Sequence, residues 1–299
     1  MAVTYNDLYL DTRKRMKKMG VTAAQLEARE LICAASGKTR EQLFQDMPLY
    51  APNQVVDKLE QFLERRIAGE PVAYLVGEWE FYGVTLEITP DVLIPRPDTE
   101  VLADQAIRLM KETGENGRLL DLCCGSGCIG LAVAAKVPEC RTVLVDLSEG
   151  AVKIAKQNIR RNNLGSRVTC FSGDAKGEPD PALWDFDVIA CNPPYIPTGD
   201  IPKLDVSVRD YEPRMALDGG KDGLDYFRTV AVNWGKVLRP GGTLLFEVGI
   251  GQADRVKQIL AQEGYEHIAV HRDLVGIPRV VEGRVSLHRK DNAKTTEEG

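Results

Sequence analysis

Apolar side chains recur at helical spacing through the first 75 residues and at strand spacing just beyond them. Tyr5, Leu8, Thr12, Met16 and Met19 fall on one face of a helix, Thr22 with Gln25 predicts a capping box for a second, and Gly37 ends it. A third helix is predicted over 52–68. Pro52 sits near its start, Val55, Leu59, Phe62 and Leu63 form its stripe, and Gly69 and Pro71 stop it. "EWEFYGVTLEI" then alternates polar and apolar around a glycine, the pattern of a β-hairpin. It leads into "TPDVLIPRPDTE", where Thr99 or Asp98 is placed to cap a helix running to about residue 112.

From residue 117 the two periods alternate. "RLLDLCC", "RTVLVDL", "RVTCFSGD", "FDVIACN" and "GGTLLFEVG" read as strands, with helical runs between them, a loop over 196–222 and two strands at the end. Strand–helix alternation predicts a parallel, doubly wound sheet with helices on both faces, and such sheets bind ligands at the carboxyl ends of their strands. The last residues, "RKDNAKTTEEG", are polar and read as a frayed tail.

Composition narrows the class. At 299 residues, 43% hydrophobic and 27% charged, the chain is long enough for two domains and can bury real cores. It holds no apolar run long enough to span a membrane and no signal-peptide order at its start, so a cytoplasmic protein is expected. Seven scattered cysteines, with all three histidines beyond residue 266, suit reduced core thiols and not a metal site. A net charge of −6 disfavours a large phosphate-binding surface.

"GSGCIG" at 125–130 follows a strand and opens a helix, and Asp146 closes the next strand 19 residues after Gly127. Taken alone, this glycine loop suits a nicotinamide dinucleotide as well as any other adenosyl cofactor. Asp121, four residues before Gly125, favours the second reading. An acid at the strand end would repel a pyrophosphate but would welcome the ammonium and sulfonium of S-adenosylmethionine. Asp146 would then take the ribose hydroxyls, and Asp174 the adenine amino group.

"ACNPPYIP" ends the fourth strand with Asn192, Pro193, Pro194 and Tyr195. An amide or aromatic amino nitrogen is a poor nucleophile because its lone pair is delocalised. Two acceptors that hold its two N–H bonds can localise and aim that pair, and the Asn192 side-chain oxygen with the Pro193 carbonyl supplies two. The prolines fix φ and remove competing donors, and Tyr195 offers a flat face for stacking. Such a corner transfers a methyl group from sulfur by positioning, without a histidine base.

The chain resembles the protein-glutamine methyltransferases that modify bacterial peptide-chain release factors, the PrmC/HemK family. "VLIPRPDTE", "DLCCGSGCIGLA", "FDVIACNPPYIP", "YEPRMALDGGKDGLDYFR" and "DLVGIPRVVEGR" carry the resemblance, which runs nearly end to end. It implies an α/β class I S-adenosylmethionine-dependent methyltransferase with a seven-stranded, doubly wound, mostly parallel sheet. Its expected parts are a helical substrate-binding domain over 1–75, a hairpin linker over 76–97, a catalytic domain over 98–289 and a flexible tail over 290–299. The implied substrate is the glutamine of a Gly-Gly-Gln loop on a release factor, held by Asn192, Pro193, Pro194 and Tyr195. Implied cofactor contacts are Cys123, Cys124, Gly125, Ser126, Gly127, Asp146, Asp174, Ala175 and Asn192, beside Asp121. In the family the first loop position is often glycine, where this chain has Cys123. Some relatives offer an aromatic ring to the adenine at position 175, where this chain has Ala175. The rivals are a DNA adenine methyltransferase, a nicotinamide-dependent oxidoreductase and a binding module without activity. Residues 1–75 carry 11 Lys and Arg against 10 Asp and Glu, a weak footing for nucleic acid. Five of the cations nevertheless cluster between Arg13 and Lys18 and would suit an acidic partner.

Overall fold

The computed structural model describes residues 3–288 in two compact units, and the tail expected over 290–299 lies outside the described residues. The first unit runs through Trp79 and takes in Ile88–Pro90 and Asp205–Tyr211. Its helices are α1 (Tyr5–Lys18), α2 (Ala24–Ser36), α3 (Arg40–Asp46), α4 (Asn53–Ile67) and α5 (Val72–Val76). Met16, Leu31, Ile32, Leu59 and Leu63 are buried at its centre, Met16 on the stripe that the spacing predicted for α1 and Leu59 and Leu63 on the one predicted for α4. The capping box expected from Thr22 and Gln25 is absent. Helix α2 starts one residue later, behind Ala23, which makes no side-chain cap. Capping boxes form instead at Thr4 with Asp7, opening α1, and at Thr39 with Gln42, opening α3.

A hairpin, β1 (Glu78–Phe81) and β2 (Val84–Glu87), turns through Tyr82 and Gly83, both at positive φ as a tight two-residue connection requires. Within the second unit α6 (Glu100–Thr113) precedes a Rossmann-like alternation: β3 (Arg118–Leu122), α7 (Cys128–Lys136), β4 (Arg141–Asp146), α8 (Glu149–Arg161), β5 (Val168–Ser172) and β6 (Phe186–Cys191). A short α9 (Val206–Arg209) belongs to the first unit. The second resumes with α10 (Asp225–Asn233), β7 (Leu238–Glu247), α11 (Ala253–Gln262), β8 (Glu266–Arg272) and β9 (Pro278–Arg284). The seven-stranded sheet has the order β5-β4-β3-β6-β7-β9-β8. Its first five strands are parallel, and β9 pairs antiparallel with both β7 and β8. The centre is apolar on both faces: β6 is buried at every position, and Phe227 meets Phe246 edge to face at 5.1 Å. The chain leaves β3 for β4 on one side and returns to β6 on the other. This reversal of strand order opens a crevice at the carboxyl ends of β3 and β6. No helix among the described residues is long and apolar enough to cross a membrane.

Candidate functional site

A cleft enclosing about 880 Å³ of free space, open solvent at its mouth included, lies at that crevice. Cys123, Cys124, Gly125 and Ser126 form one wall, and Asp146, Asp174, Ala175, Asn192 and Pro194 line it too. Gly127, Pro193, Tyr195 and Asp121 do not. The loop is shaped by its own backbone. Cys123 holds φ at +60°, a conformation glycine adopts without strain, which accounts for the glycine often found there in the family it resembles. Gly127 turns at φ +81°, where a Cβ would also crowd Leu144 at 3.0 Å. The Asp146 carboxylate braces the loop, Oδ2 accepting from Gly125 N at 2.8 Å and Oδ1 from Ser148 N at 2.9 Å. Burial raises the Asp146 pKa, and those backbone donors oppose the rise.

Asp121 does not face the cleft as expected. It lies fully buried at the end of β3, where Oδ2 accepts from Gly130 N at 2.8 Å at the first turn of α7. Oδ1 is buried with no hydrogen-bond partner. Burial is the main reason that its pKa is pushed up to about 7, with Gly130 N opposing and the Asp146 charge adding to the rise. Its influence on a ligand therefore acts through the loop and not by contact. Asp174 accepts from Lys176 N at 2.8 Å, an Asx turn that leaves its other oxygen available.

The corner after β6 is held from elsewhere in the chain. Gly219 lies so close behind it that a Cβ there would sit 2.7 Å from both the Pro194 oxygen and the Tyr195 Cα. Ile196 N donates to Leu217 O at 3.0 Å, Gly219 N donates to Ile196 O at 2.9 Å, and Gln252 Nε2 donates to Tyr195 O at 2.9 Å. Burial, and then the neighbouring Glu247, raise the Tyr195 hydroxyl pKa, so the ring stays neutral. The Asn192 amide nitrogen reaches Thr99 Oγ1 at 3.5 Å. Among the described residues, neither Asn192 Oδ1 nor the Pro193 carbonyl accepts a hydrogen bond. The corner thus offers two preset acceptors beside the loop, an arrangement suited to orienting an N–H₂ group.

Several cleft residues were not read from the sequence as parts of a site. Asp91, Val92, Leu93, Pro95 and Thr99 cover the loop, and Tyr226 brings a ring to the same wall as Ala175. Buried Glu212 clamps the covering segment, pairing with Arg96 and accepting from Ile94 N at 3.2 Å. Asp98 pairs with Arg279 at 2.8 Å. The "PRPDTE" and "YEPR" blocks carried the resemblance, and this mutual clamp is the physical signal they encode. Glu247, 3% exposed at the end of β7, gave no such signal, being one acid within an apolar strand.

Residues 7–77 match the family model "PrmC N-terminal domain", and residues 99–204 match "Methyltransferase small domain". The chain is 41% identical to a "Release factor glutamine methyltransferase" of Geobacter sulfurreducens over 276 residues, covering 92% of this chain and 94% of the relative. A protein of the same name from Thermodesulfovibrio yellowstonii is 38% identical over 256 residues, 85% of this chain and 90% of the relative. Among solved structures, the human methyltransferase 10 domain containing protein superposes with a TM-score of 0.51 at 16% identity, covering 69% of this chain and 90% of that one, a likeness of fold.

Proposed function

The chain belongs to the release factor glutamine methyltransferase family, and on that premise we propose that the cleft binds S-adenosylmethionine while the Asn192–Tyr195 corner holds the glutamine side chain. The protein is an enzyme that methylates the side-chain amide nitrogen of the glutamine in the Gly-Gly-Gln motif of release factors. The observation that carries the assignment of the site is that Asn192, with an unused acceptor, lines the same cleft as the glycine loop.

The residues suit the cofactor. Asp146 keeps lone pairs for ribose hydroxyls beyond its two backbone bonds, and the orphaned Asp121 oxygen leaves negative potential beneath the loop, where a cation is favoured. Tyr226 supplies the aromatic surface that Ala175 lacks. When bound, S-adenosylmethionine supplies an electrophilic methyl group on a sulfonium and departs as a neutral thioether. Asn192 Oδ1 and the Pro193 carbonyl accept the two amide hydrogens of the glutamine, which aims the nitrogen pair along one direction. As the C–N bond forms and the C–S bond breaks, the nitrogen must lose one proton. That proton is already held at one of these acceptors and passes from it to water. Partly buried, neutral Tyr195 packs against the core and stiffens the corner.

We assign the helical first unit to binding the body of the release factor. Arg13, Lys14, Lys17 and Lys18 on α1 suit an acidic partner surface, while Arg15 pairs with Glu60 at 2.7 Å. The reaction then belongs to the cytoplasm, with no sequence-specific nucleic-acid contact. Incubation of the full chain with labelled S-adenosylmethionine, a purified release factor or duplex DNA tests the assignment. Label is expected on the protein alone; label on DNA, or tight NAD binding with no response to S-adenosylmethionine, would overturn it.

A further inference from the structure

Strand β7 runs beside β6 in parallel with Cys191 opposite Phe246, and Asn192 and Glu247 each follow that pair directly in the chain. Glu247 is 3% exposed and its Oε2 is buried with no hydrogen-bond partner. A buried carboxyl oxygen left unpaired is costly unless something requires it. Thr99 and Asn192, which themselves meet at 3.5 Å, both favour the charged form of the Glu247 carboxyl by hydrogen bonding. Resting on the function proposed above, we infer that Glu247 is a positioning residue whose carboxylate receives the Asn192 amide N–H and the Thr99 hydroxyl, and thereby turns Asn192 Oδ1 toward the substrate glutamine.

The reason lies in the near symmetry of an asparagine amide. Its oxygen and nitrogen have almost the same shape, so a half-turn would point N–H₂ at the glutamine N–H₂, donor against donor. An ionised carboxylate only accepts and can satisfy only the nitrogen end, which selects the productive orientation. Its charge behind Asn192 also favours the positive charge that develops on the attacking nitrogen. Protonation removes the selection, because a carboxylic acid donates as readily as it accepts. Burial pushes the Glu247 pKa up to about 7, while Thr99, Arg279 and Asn192 oppose the rise and Asp98 adds to it. Tyr195 and Cys128 also face Glu247 and remain neutral in this range.

The test is the pH profile of kcat at saturating release factor and S-adenosylmethionine. For the wild type, kcat should rise across the region around pH 7. Glu247→Gln should lower the plateau by about 10- to 100-fold, the cost of a mispositioned reacting group. It should also abolish the rise and leave S-adenosylmethionine affinity unchanged by calorimetry. Thr99→Val removes a partner that holds the Glu247 pKa down, so its rise should move to higher pH. This variant also tests the inference if Glu247→Gln does not fold. A flat wild-type profile, a Glu247→Gln profile matching the wild type, or an unmoved rise in Thr99→Val would each overturn the inference. Absence of transfer by the wild type would instead overturn the function on which it rests.

Discussion

Two turns end adjacent strands of the same sheet and are built in opposite ways. The glycine loop after β3 takes its shape within one strand–helix–strand unit: positive φ at Cys123 and Gly127, the Asp121 bond to Gly130 N, and the Asp146 bond to Gly125 N. The Asn-Pro-Pro-Tyr corner after β6 is backed by Thr99, Gly219 and Gln252, from segments before and after it. A loop that cradles a cofactor needs chiefly a backbone path, and glycines supply one locally. An acceptor that must aim a nucleophile within a fraction of an ångström needs support from several directions. Binding is therefore encoded locally here, and turnover at long range.

The strongest challenge to this division is Asn192→Ala. Transfer should fall by about a thousandfold, while S-adenosylmethionine affinity stays within about tenfold, since only an orienting group is lost. Single-turnover rates beside calorimetry would check it, and a parallel loss of affinity would merge the two roles. Next comes Gly219→Ala, far from the cofactor in sequence. Its Cβ would meet backbone atoms at 2.7 Å, so the corner must shift; transfer should drop about 100-fold and stability by about 1–3 kcal/mol.

Asp121→Asn probes the loop through its buried acid. The folded pKa of Asp121 is raised from 3.8 to about 7, so the folded state holds its proton more tightly than the unfolded chain. The stability this provides is complete below about pH 4 and is lost as pH rises through about 7. Asparagine does not titrate. The variant should therefore gain on the wild type from pH 4 to pH 8 by a few kcal/mol at most, since each tenfold difference in proton affinity is worth about 1.4 kcal/mol. Thermal melts at several pH values would show it, and a gap that does not widen with pH would refute it. The smallest effect belongs to Cys123→Gly. Relief of left-handed strain, partly offset by glycine's greater freedom when unfolded, should stabilise the fold by about 0.5–1 kcal/mol, read by denaturant melts. A loss of stability would mean that the thiol contributes packing that outweighs the strain.

The same contrast explains what the sequence made legible. Strand and helix periods placed the parallel sheet, and glycines placed the loop, because both signals are local. The orientation of Asp121 was not legible: a carboxylate at a strand end can face the cleft or the first turn of the next helix, and Gly130 N captures this one. Glu247 was hidden because its meaning depends on the β6–β7 register, which joins residues far apart in the chain. The helical unit shows the point in miniature. Thr4 caps α1 with Asp7 at the third position, where a glutamate or glutamine is the usual cue, and the expected box at Thr22 lost to a start at Ala24.

Above all, the corner should present an amide nitrogen, and no other atom, for methylation. The direct measurement is fragmentation mass spectrometry of a release factor treated with the full chain and S-adenosylmethionine. One methyl group on the side-chain nitrogen of the Gly-Gly-Gln glutamine is the predicted result. A methyl group on a carboxylate, on a backbone nitrogen or on another residue would contradict it.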